Sequence, residues 1–217
     1  MSKKYNTILF DLDGTLTDPY EGISKSAQYS LSKFNIIEED EGRLRKMIGP
    51  PFLHSLKKHY DFSEELSKEA VGYFREYFIE KGIFENKIYS GISNLLNELK
   101  RAGKNIRLAT LKPENQAHQI LKMFSIDQYF HSISGSTIEG PIADKPAVVR
   151  KAIEDLNFEE LEFTVMVGDR EYDIQGAIAN SIDSIGVLYG FGSQEELRAA
   201  KACYIVKDIE ELRNLLL

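Results

Sequence analysis

The sequence predicts an α/β protein, with a Rossmann-like parallel sheet flanked by helices and an inserted α-helical cap domain. Two observations lead to this fold class. The runs at 7–10 and 163–167 are apolar or β-branched throughout, as in strands that are buried on both faces of a parallel sheet. From residue 92 onward such strands alternate with helical patterns, which predicts right-handed crossovers. Between residues 20 and 84, by contrast, the apolar patterns have helical spacing only.

Helix start and stop signals divide the chain into two predicted domains. We expect the α/β core at residues 1–19 and 89–217, and the helical cap at 20–88. Asp18 and Pro19 suit the N-cap and the first position of the first cap helix. Further cap helices are expected near 39–47 and 52–60, and a longer one between a cap at Ser63 and a stop at Gly82.

The core pattern is a series of short strands and helices. After the first strand, we expect strands at 105–110, 130–134, 163–167, 185–188 and 204–206. Helices are expected at 145–156 and 174–179. Ser193 and Glu196 are typical of a capping box, and Asp208 is typical of an N-cap.

Composition limits the function classes. The 217 residues are 42% hydrophobic and 28% charged, with a net charge of −7, and this acidic balance argues against binding a nucleic acid polymer. We find no membrane-length apolar run and no signal-peptide pattern, so we expect a cytoplasmic protein without a membrane role. We also expect a monomer or homodimer. The single cysteine, Cys203, cannot form an internal disulfide, and its apolar neighbours predict burial.

Asp11 and Asp13 directly follow the first strand and are the first candidate site residues. Ligands of open α/β sheets bind beyond the carboxyl ends of strands, and side chains two residues apart on a strand face the same way. Two carboxylates held so close repel each other, and a divalent cation relieves this repulsion. The alternative is that Asp13-Gly14 marks a hairpin turn and Asp11 a strand end.

Other strand ends and helix starts carry polar groups of different types. Thr110 ends the second core strand, Lys145 begins a helix, and Asp169 and Asp173 follow the strand at 163–167. Carboxylates, a hydroxyl and an ammonium at one sheet edge could bind Mg²⁺ and a phosphate together. Asp173 could instead simply cap the helix that follows it.

These motifs together resemble the haloacid dehalogenase superfamily of phosphohydrolases. The residues are Asp-Leu-Asp-Gly-Thr-Leu-Thr at 11–17, Thr110, Lys145 and Gly-Asp-x-x-x-Asp at 168–173, and the resemblance covers the whole chain. It implies that Asp11 is the nucleophile that forms an aspartyl-phosphate, and that Asp13 is the general acid and base. It also implies that Thr110 donates to phosphoryl oxygens and that Lys145 offsets negative charge.

The same resemblance implies the remaining ligands. Mg²⁺ would be held by Asp169, the Asp11 side chain and the Asp13 main-chain carbonyl, with Asp173 in support. Phosphate would contact Asp11, Thr110, Leu111 and Lys145. In the cap, the 48–51 stretch with Gly49 and Pro50 could line the substrate cleft or could simply end a helix. The sequence departs from the family at Leu111, where a small polar residue is usual, and at Ile142, where we expect a basic residue.

Three weaker stretches, at 21–26, 48–51 and 188–192, resemble phosphoglycolate phosphatases and bacterial 5′-nucleotidases. The resemblance therefore implies a Mg²⁺-dependent phosphomonoesterase acting on a small metabolite, either a nucleoside 5′-monophosphate or 2-phosphoglycolate. Alternatives are a β-phosphoglucomutase-like phosphotransferase, an inorganic pyrophosphatase or a non-catalytic phosphate-binding regulator. In the cap, Tyr73, Phe74, Tyr77 and Phe78 could form either a packing face or a wall that stacks on substrate.

Overall fold

The computed structural model describes residues 4–137 and 144–217. The chain forms two compact units, one of Met1–Thr17 with Ile88–Leu217 and one of Asp18–Lys87. We call them the α/β unit and the helical unit. The boundaries expected from the sequence, at residues 19 and 89, lie within two residues of these divisions. Ile142, where a basic residue was expected, lies outside the described residues.

Six strands of the α/β unit form one parallel sheet. The described strands are β1 (Thr7–Phe10), β2 (Thr17–Asp18), β3 (Lys87–Ile88), β4 (Asn105–Pro113), β5 (Ser132–Ser136), β6 (Thr164–Gly168), β7 (Asp183–Val187) and β8 (Tyr204–Val206). The large sheet has the order β5-β4-β1-β6-β7-β8, and β2 pairs with β3 separately. Neighbouring strands of the large sheet run parallel, so the predicted fold class is confirmed. β1 therefore lies between β4 and β6.

Helices connect the strands of the sheet and build the helical unit. The helical unit contains α1 (Tyr20–Ser32), α2 (Glu41–Lys46), α3 (Phe52–Tyr60) and α4 (Glu64–Glu80). The α/β unit contains α5 (Ile92–Arg101), α6 (Glu114–Met123), α7 (Lys145–Ala152), α8 (Phe158–Glu162), α9 (Glu171–Ala179), α10 (Gln194–Ala199) and α11 (Ile209–Leu216). Among the described residues, no helix combines the length and the apolar character that crossing a membrane requires.

Capping follows the sequence at some helices and departs from it at others. Ser63 and Asp208 accept hydrogen bonds from the main chain of α4 and α11, as predicted. The N-cap of α1 is Pro19, and Asp18 Oδ1 accepts from the Tyr20 N–H at 3.0 Å instead. This shift of one residue is small, because Asp18 still satisfies a main-chain donor at the helix start.

The helical unit has its own apolar core. Leu31 and Leu56 are completely buried. The four aromatic side chains predicted as either a packing face or a stacking wall all contact other rings of this unit: Tyr73 with Phe34, Phe74 with Phe52 and Phe78, and Tyr77 with Tyr29. Packing is therefore the role that these contacts support.

Several core elements differ from the sequence expectation, among them α7, α8 and β4. α7 ends at Ala152 instead of residue 156, and the five-residue α8 follows with a capping box between Asn157 and Glu160. So short a helix shows no usable apolar period, which is why the sequence did not predict it. β4 continues to Pro113, with a register shift against β5 between Thr110 and Pro113. Thr110 thus lies at an irregularity inside the strand and not at its end.

Two local expectations were wrong. Ser193 Oγ accepts from the Glu196 N–H, but Glu196 Oε1 accepts from Arg170 Nε at 2.8 Å and from the Glu171 N–H at 2.9 Å. The Glu196 side chain, which in a capping box would accept from the Ser193 N–H, therefore binds Arg170 and Glu171 instead. Cys203, expected to be buried, is exposed, because it precedes the edge strand β8, which has a neighbour on one side only.

Candidate active site

The carboxyl ends of β1 and β6 lie side by side and carry the acidic residues. Phe10 is paired with Val167, and the Asp11 N–H donates to the Val167 carbonyl at 2.9 Å. Asp11 follows β1 directly and Asp169 follows β6 directly. This parallel register brings two distant sequence motifs to one edge of the sheet.

Asp11, Asp169 and Asp173 form a buried acidic cluster. One carboxylate oxygen from each lies within 4.8 Å of the others, and all three residues are buried. Burial, followed by repulsion from Asp173 and Asp11, raises the pKa of Asp169 well above its usual value. Asp169 Oδ1 is buried without a hydrogen-bond partner. A concentrated set of carboxylate oxygens with an unsatisfied member fits a hard divalent cation.

Lys145 lies between two of these carboxylates. Its Nζ is 2.7 Å from Asp11 Oδ1 and 2.6 Å from Asp173 Oδ1. Lys145 is the first residue of α7, whose N-cap Asp144 accepts from the Ala147 N–H. Burial alone would lower the pKa of the Lys145 ammonium, but the attraction of Asp11 and Asp173 raises it above its usual value. The ammonium therefore stays charged beside Asp11 at neutral pH.

Asp173 caps a helix and also contacts the acidic cluster through Lys145. Its Oδ2 accepts from the Arg170 N–H at 3.0 Å, so it does cap the start of α9. Its Oδ1 forms the ion pair with Lys145. Burial raises the pKa of Asp173, with Lys145 opposing and Asp11 adding to the shift, to about 6. The residue connects a helix N-terminus to the acidic cluster.

Asp13 is paired with Lys112, which the sequence analysis did not identify. Lys112 Nζ lies 2.8 Å from Asp13 Oδ2. Burial raises the pKa of Asp13, and the charge of Lys112 opposes that shift. Lys112 lies two residues after Thr110 on β4, so the period of a strand could have indicated that both face the same side. Lys112 therefore places a positive charge beside the residue that the sequence predicts to be the acid and base.

The turn after Asp13 is also present. The Gly14 N–H donates to the Thr17 carbonyl at 2.7 Å, and Gly14 has a φ of +88°, which favours glycine. This turn does not join a hairpin, because β1 pairs with β4 and β6 while β2 pairs with β3, so the hairpin alternative is wrong.

Thr110 and Leu111 lie on β4 beside this cluster of motifs. Thr110 is buried, and its Oγ1 accepts from the Lys112 N–H at 3.2 Å, which leaves the hydroxyl proton available to another acceptor. The Leu111 side chain packs against the apolar core that contains Val148 and Met166. Leu111 can therefore offer only main-chain groups to a phosphate.

Gly49 and Pro50 belong to the helical unit, in the connection between α2 and α3. Gly49 has a φ of +102°, and the preceding Ile48 is completely buried. This connection ends α2 and leads into α3, which begins after Pro51. A substrate contact by Gly49 or Pro50 stays a prediction.

Comparison with known protein families gives one clear match. A model of the family described as haloacid dehalogenase-like hydrolase matches residues 8–187. The matched segment begins at β1 and ends at β7, so it contains the acidic cluster, Lys112 and Lys145. The match covers more than half of the chain.

Curated relatives carry phosphatase and kinase names. The chain is 41% identical to a 5′-nucleotidase of Pseudomonas aeruginosa, over 98% of this chain and 96% of that protein. It is 33% identical to the tyrosine-protein kinase PtkA of Mycobacterium tuberculosis, over 96% of this chain and 72% of that protein. It is 28% identical to a phosphoglycolate phosphatase of Colwellia psychrerythraea, over 88% of this chain and 87% of that protein.

A solved structure agrees with these relatives. The chain is similar to a crystal structure of a predicted phosphatase from Clostridium acetobutylicum, with a TM-score of 0.91 and 48% identity. The similarity covers 97% of each chain. Both the sheet and the helical segment therefore have counterparts in that protein.

Proposed function

Because this chain belongs to the haloacid dehalogenase-like hydrolase family and is a phosphatase of that family, we propose that it is a Mg²⁺-dependent phosphomonoesterase of small metabolites. The observation that carries the proposal is the position of Lys145 between Asp11 and Asp173, beside a buried carboxylate of Asp169 that has a free oxygen. A nucleoside 5′-monophosphate is the first substrate candidate, because the 5′-nucleotidase shares 41% identity. The second is 2-phosphoglycolate.

In the first step, a carboxylate oxygen of Asp11 attacks the phosphorus atom of the substrate. The bond between phosphorus and the ester oxygen breaks, and the departing oxygen receives the proton of Asp13. The products of this step are the free alcohol and a phosphate bonded to Asp11. Burial raises the pKa of Asp13, which favours the protonated form that this step needs.

In the second step, the Asp13 carboxylate takes a proton from a water molecule. The water oxygen attacks phosphorus, and the bond between phosphorus and the Asp11 oxygen breaks. Inorganic phosphate leaves, Asp11 regains its carboxylate, and Asp13 is protonated again. Asp13 must alternate between two protonation states, and burial favours its protonated form while the charge of Lys112 favours its carboxylate.

The other residues stabilise charge. Lys145, which is 2.7 Å from Asp11 Oδ1, offsets the negative charge shared by nucleophile and phosphoryl group. The Thr110 hydroxyl proton is available to a phosphoryl oxygen. Mg²⁺ would be held by Asp11, Asp169 and the Asp13 main-chain carbonyl, with Asp173 in support, and it would screen the nucleophile from the anionic substrate.

The test is phosphate release with and without Mg²⁺ from nucleoside monophosphates, 2-phosphoglycolate, sugar phosphates and pyrophosphate. Asp11→Asn serves as the inactive variant, and Asp61→Asn is the matched control, because Asp61 is exposed at the end of α3 in a left-handed conformation that asparagine tolerates. We expect Mg²⁺-dependent release that Asp11→Asn abolishes and Asp61→Asn retains. Equal release by wild type and Asp11→Asn would refute the proposal.

Phosphate transfer to an acceptor other than water is the second candidate. The 33% identity to a protein named tyrosine-protein kinase favours it, since transfer and hydrolysis differ only in what attacks the phosphate bonded to Asp11. Phosphorus NMR of reactions with sugar and tyrosine acceptors separates the two. Hydrolysis predicts inorganic phosphate as the product, whereas a transferase would return phosphate to the acceptor.

A further inference from the structure

The loop after β7 closes around Asp169. This loop, residues 188–192 with the sequence Leu-Tyr-Gly-Phe-Gly, follows β7, which is the neighbour of β6 in the sheet. It is not part of the acidic motifs. The Phe191 N–H donates to Asp169 Oδ2 at 2.7 Å. The other oxygen, Asp169 Oδ1, is buried and accepts no hydrogen bond. One main-chain donor thus makes the two oxygens of this carboxylate chemically different.

Glycine at position 190 allows this approach. A Cβ atom there would lie 2.5 Å from both Cβ and Oδ2 of Asp169 and 2.3 Å from the main-chain oxygen of Gly14. A Cβ atom at Gly14 would lie 2.2 Å from Asp169 Oδ2. Backbone from two loops therefore encloses the carboxylate on two sides, and neither side has room for a methyl group. Its orientation is determined by the main chain and not by flexible side chains.

The loop is in turn tied to the segment that carries Asp13. The Tyr189 hydroxyl donates to the Thr15 carbonyl at 3.1 Å, and the Tyr189 ring packs edge-on against Tyr89 at 5.2 Å. Just before Tyr189, at the first residue of the loop, the Leu188 N–H donates to the Val206 carbonyl at 2.9 Å. These contacts anchor the first two residues of the loop, and the Phe191 N–H near its other end donates to Asp169.

We propose that the 188–192 loop is a positioning element that fixes Asp169 so that Oδ1 is presented to the cation. This inference rests on the proposed function, because it takes Asp169 as a ligand of Mg²⁺. Hydrogen bonds from groups outside the ligand set orient metal-bound carboxylates, and losing such a bond typically costs about 10- to 100-fold in metal affinity. The loop therefore acts through Asp169 as a positioning element.

The test compares Mg²⁺ binding without substrate in Gly190→Ala and in a matched control, Gly72→Ala. Gly72 is exposed on α4, and nothing lies within 4 Å of a Cβ atom there. By calorimetric titration, we expect the Mg²⁺ dissociation constant of Gly190→Ala to rise about tenfold or more, while Gly72→Ala matches wild type. Unfolding in urea with EDTA checks that both variants fold.

A second readout uses the wild-type chain and does not depend on a variant that folds. The amide resonance of Phe191 should shift when Mg²⁺ is added, because its acceptor Oδ2 belongs to the carboxylate that binds the cation through Oδ1, while the amide of Gly103 should not. A folded Gly190→Ala with wild-type affinity, or an unmoved Phe191 amide in protein saturated with Mg²⁺, overturns the inference. If the wild-type protein binds no Mg²⁺, the Mg²⁺ dependence of the proposed function is refuted instead.

Discussion

Lys112 Nζ lies 2.8 Å from Asp13 Oδ2, and their side chains are only 6% and 13% exposed. An ion pair this well shielded from water places a fixed positive charge beside the proposed acid and base. The lysine ammonium cannot accept a proton, so its effect on Asp13 is one of orientation and charge. Asp13 and Lys112 should therefore be considered as a pair.

Replacing Lys112 with methionine tests this pairing. We expect kcat for Lys112→Met to fall about 10- to 100-fold, less than the 10²- to 10⁴-fold that general acid and base catalysis typically contributes. The reason is that Asp13 remains but loses the partner that orients it. Steady-state kinetics with the best substrate of the panel measure the loss. Lys122→Met, at an exposed position of α6, is the control, and an unchanged kcat in Lys112→Met would show that the pair has no part in turnover.

Lys145→Met should destabilise the protein most when Mg²⁺ is absent. The variant leaves the carboxylates of Asp11 and Asp173 buried without the ammonium that lies within 2.7 Å of both. Breaking a buried pair typically costs about 3–5 kcal/mol in the free energy of unfolding. A bound cation restores part of that loss, because it neutralises the same charges. Urea unfolding in EDTA and in Mg²⁺ measures both values, and an equal loss in the two solutions would contradict the prediction.

Mg²⁺ affinity should weaken as the pH falls. Burial and mutual repulsion raise the pKa of Asp169, and the pKa of Asp173 is raised to about 6. The metal-free site therefore holds protons at a pH where ordinary carboxylates do not, and the cation must displace them. Affinity should fall by up to about tenfold per pH unit for each proton displaced. Titration calorimetry at pH 5.5 and pH 7.5 in two buffers measures the protons released, and none released at the lower pH would refute the mechanism.

The buried carboxylate of Glu38 should make the stability of the protein depend on pH. Its carboxylate is 6% exposed, accepts from the Tyr60 hydroxyl and the Asp40 N–H, and lies 3.0 Å from Arg43. Burial alone would raise the pKa of Glu38, but these three partners lower it below its usual value. A carboxylate whose pKa is lowered by folding stabilises the folded protein at neutral pH. This contribution is lost as the pH falls through the pKa of the folded state.

Glu38→Gln should therefore lower the free energy of unfolding at pH 7 by about 2 kcal/mol, the range typical of hydrogen bonds to a charged group. The difference from wild type should shrink below about pH 4, where the wild-type carboxylate gains a proton. Urea unfolding at pH 7 and at pH 3.5 gives both values. Glu80→Gln, at the exposed end of α4, is the control, and a difference that is independent of pH would contradict the assignment.

The residues that sequence alone identified share a local signature. Asp11 and Asp13 follow an apolar strand at a spacing that faces them the same way, and Asp169 follows another such strand. Local spacing and strand pattern also predicted the parallel sheet that places these strands together. The structure brings Asp11, Asp169, Asp173 and Lys145 to one buried cluster, although the chemical roles given to them stay proposals.

The sequence by itself determined the parallel α/β class, the helical segment inserted after the first strand, and the acidic motifs, because strand period, helix period and capping chemistry are all local. Only the tertiary structure decided that Lys112 pairs with Asp13. The same holds for the hydrogen bond from Arg170 to the Glu196 side chain and for the one from the Phe191 N–H to Oδ2 of Asp169. Each of these contacts joins residues more than 20 positions apart. Their partners are set by sheet register and loop packing, which no local pattern encodes.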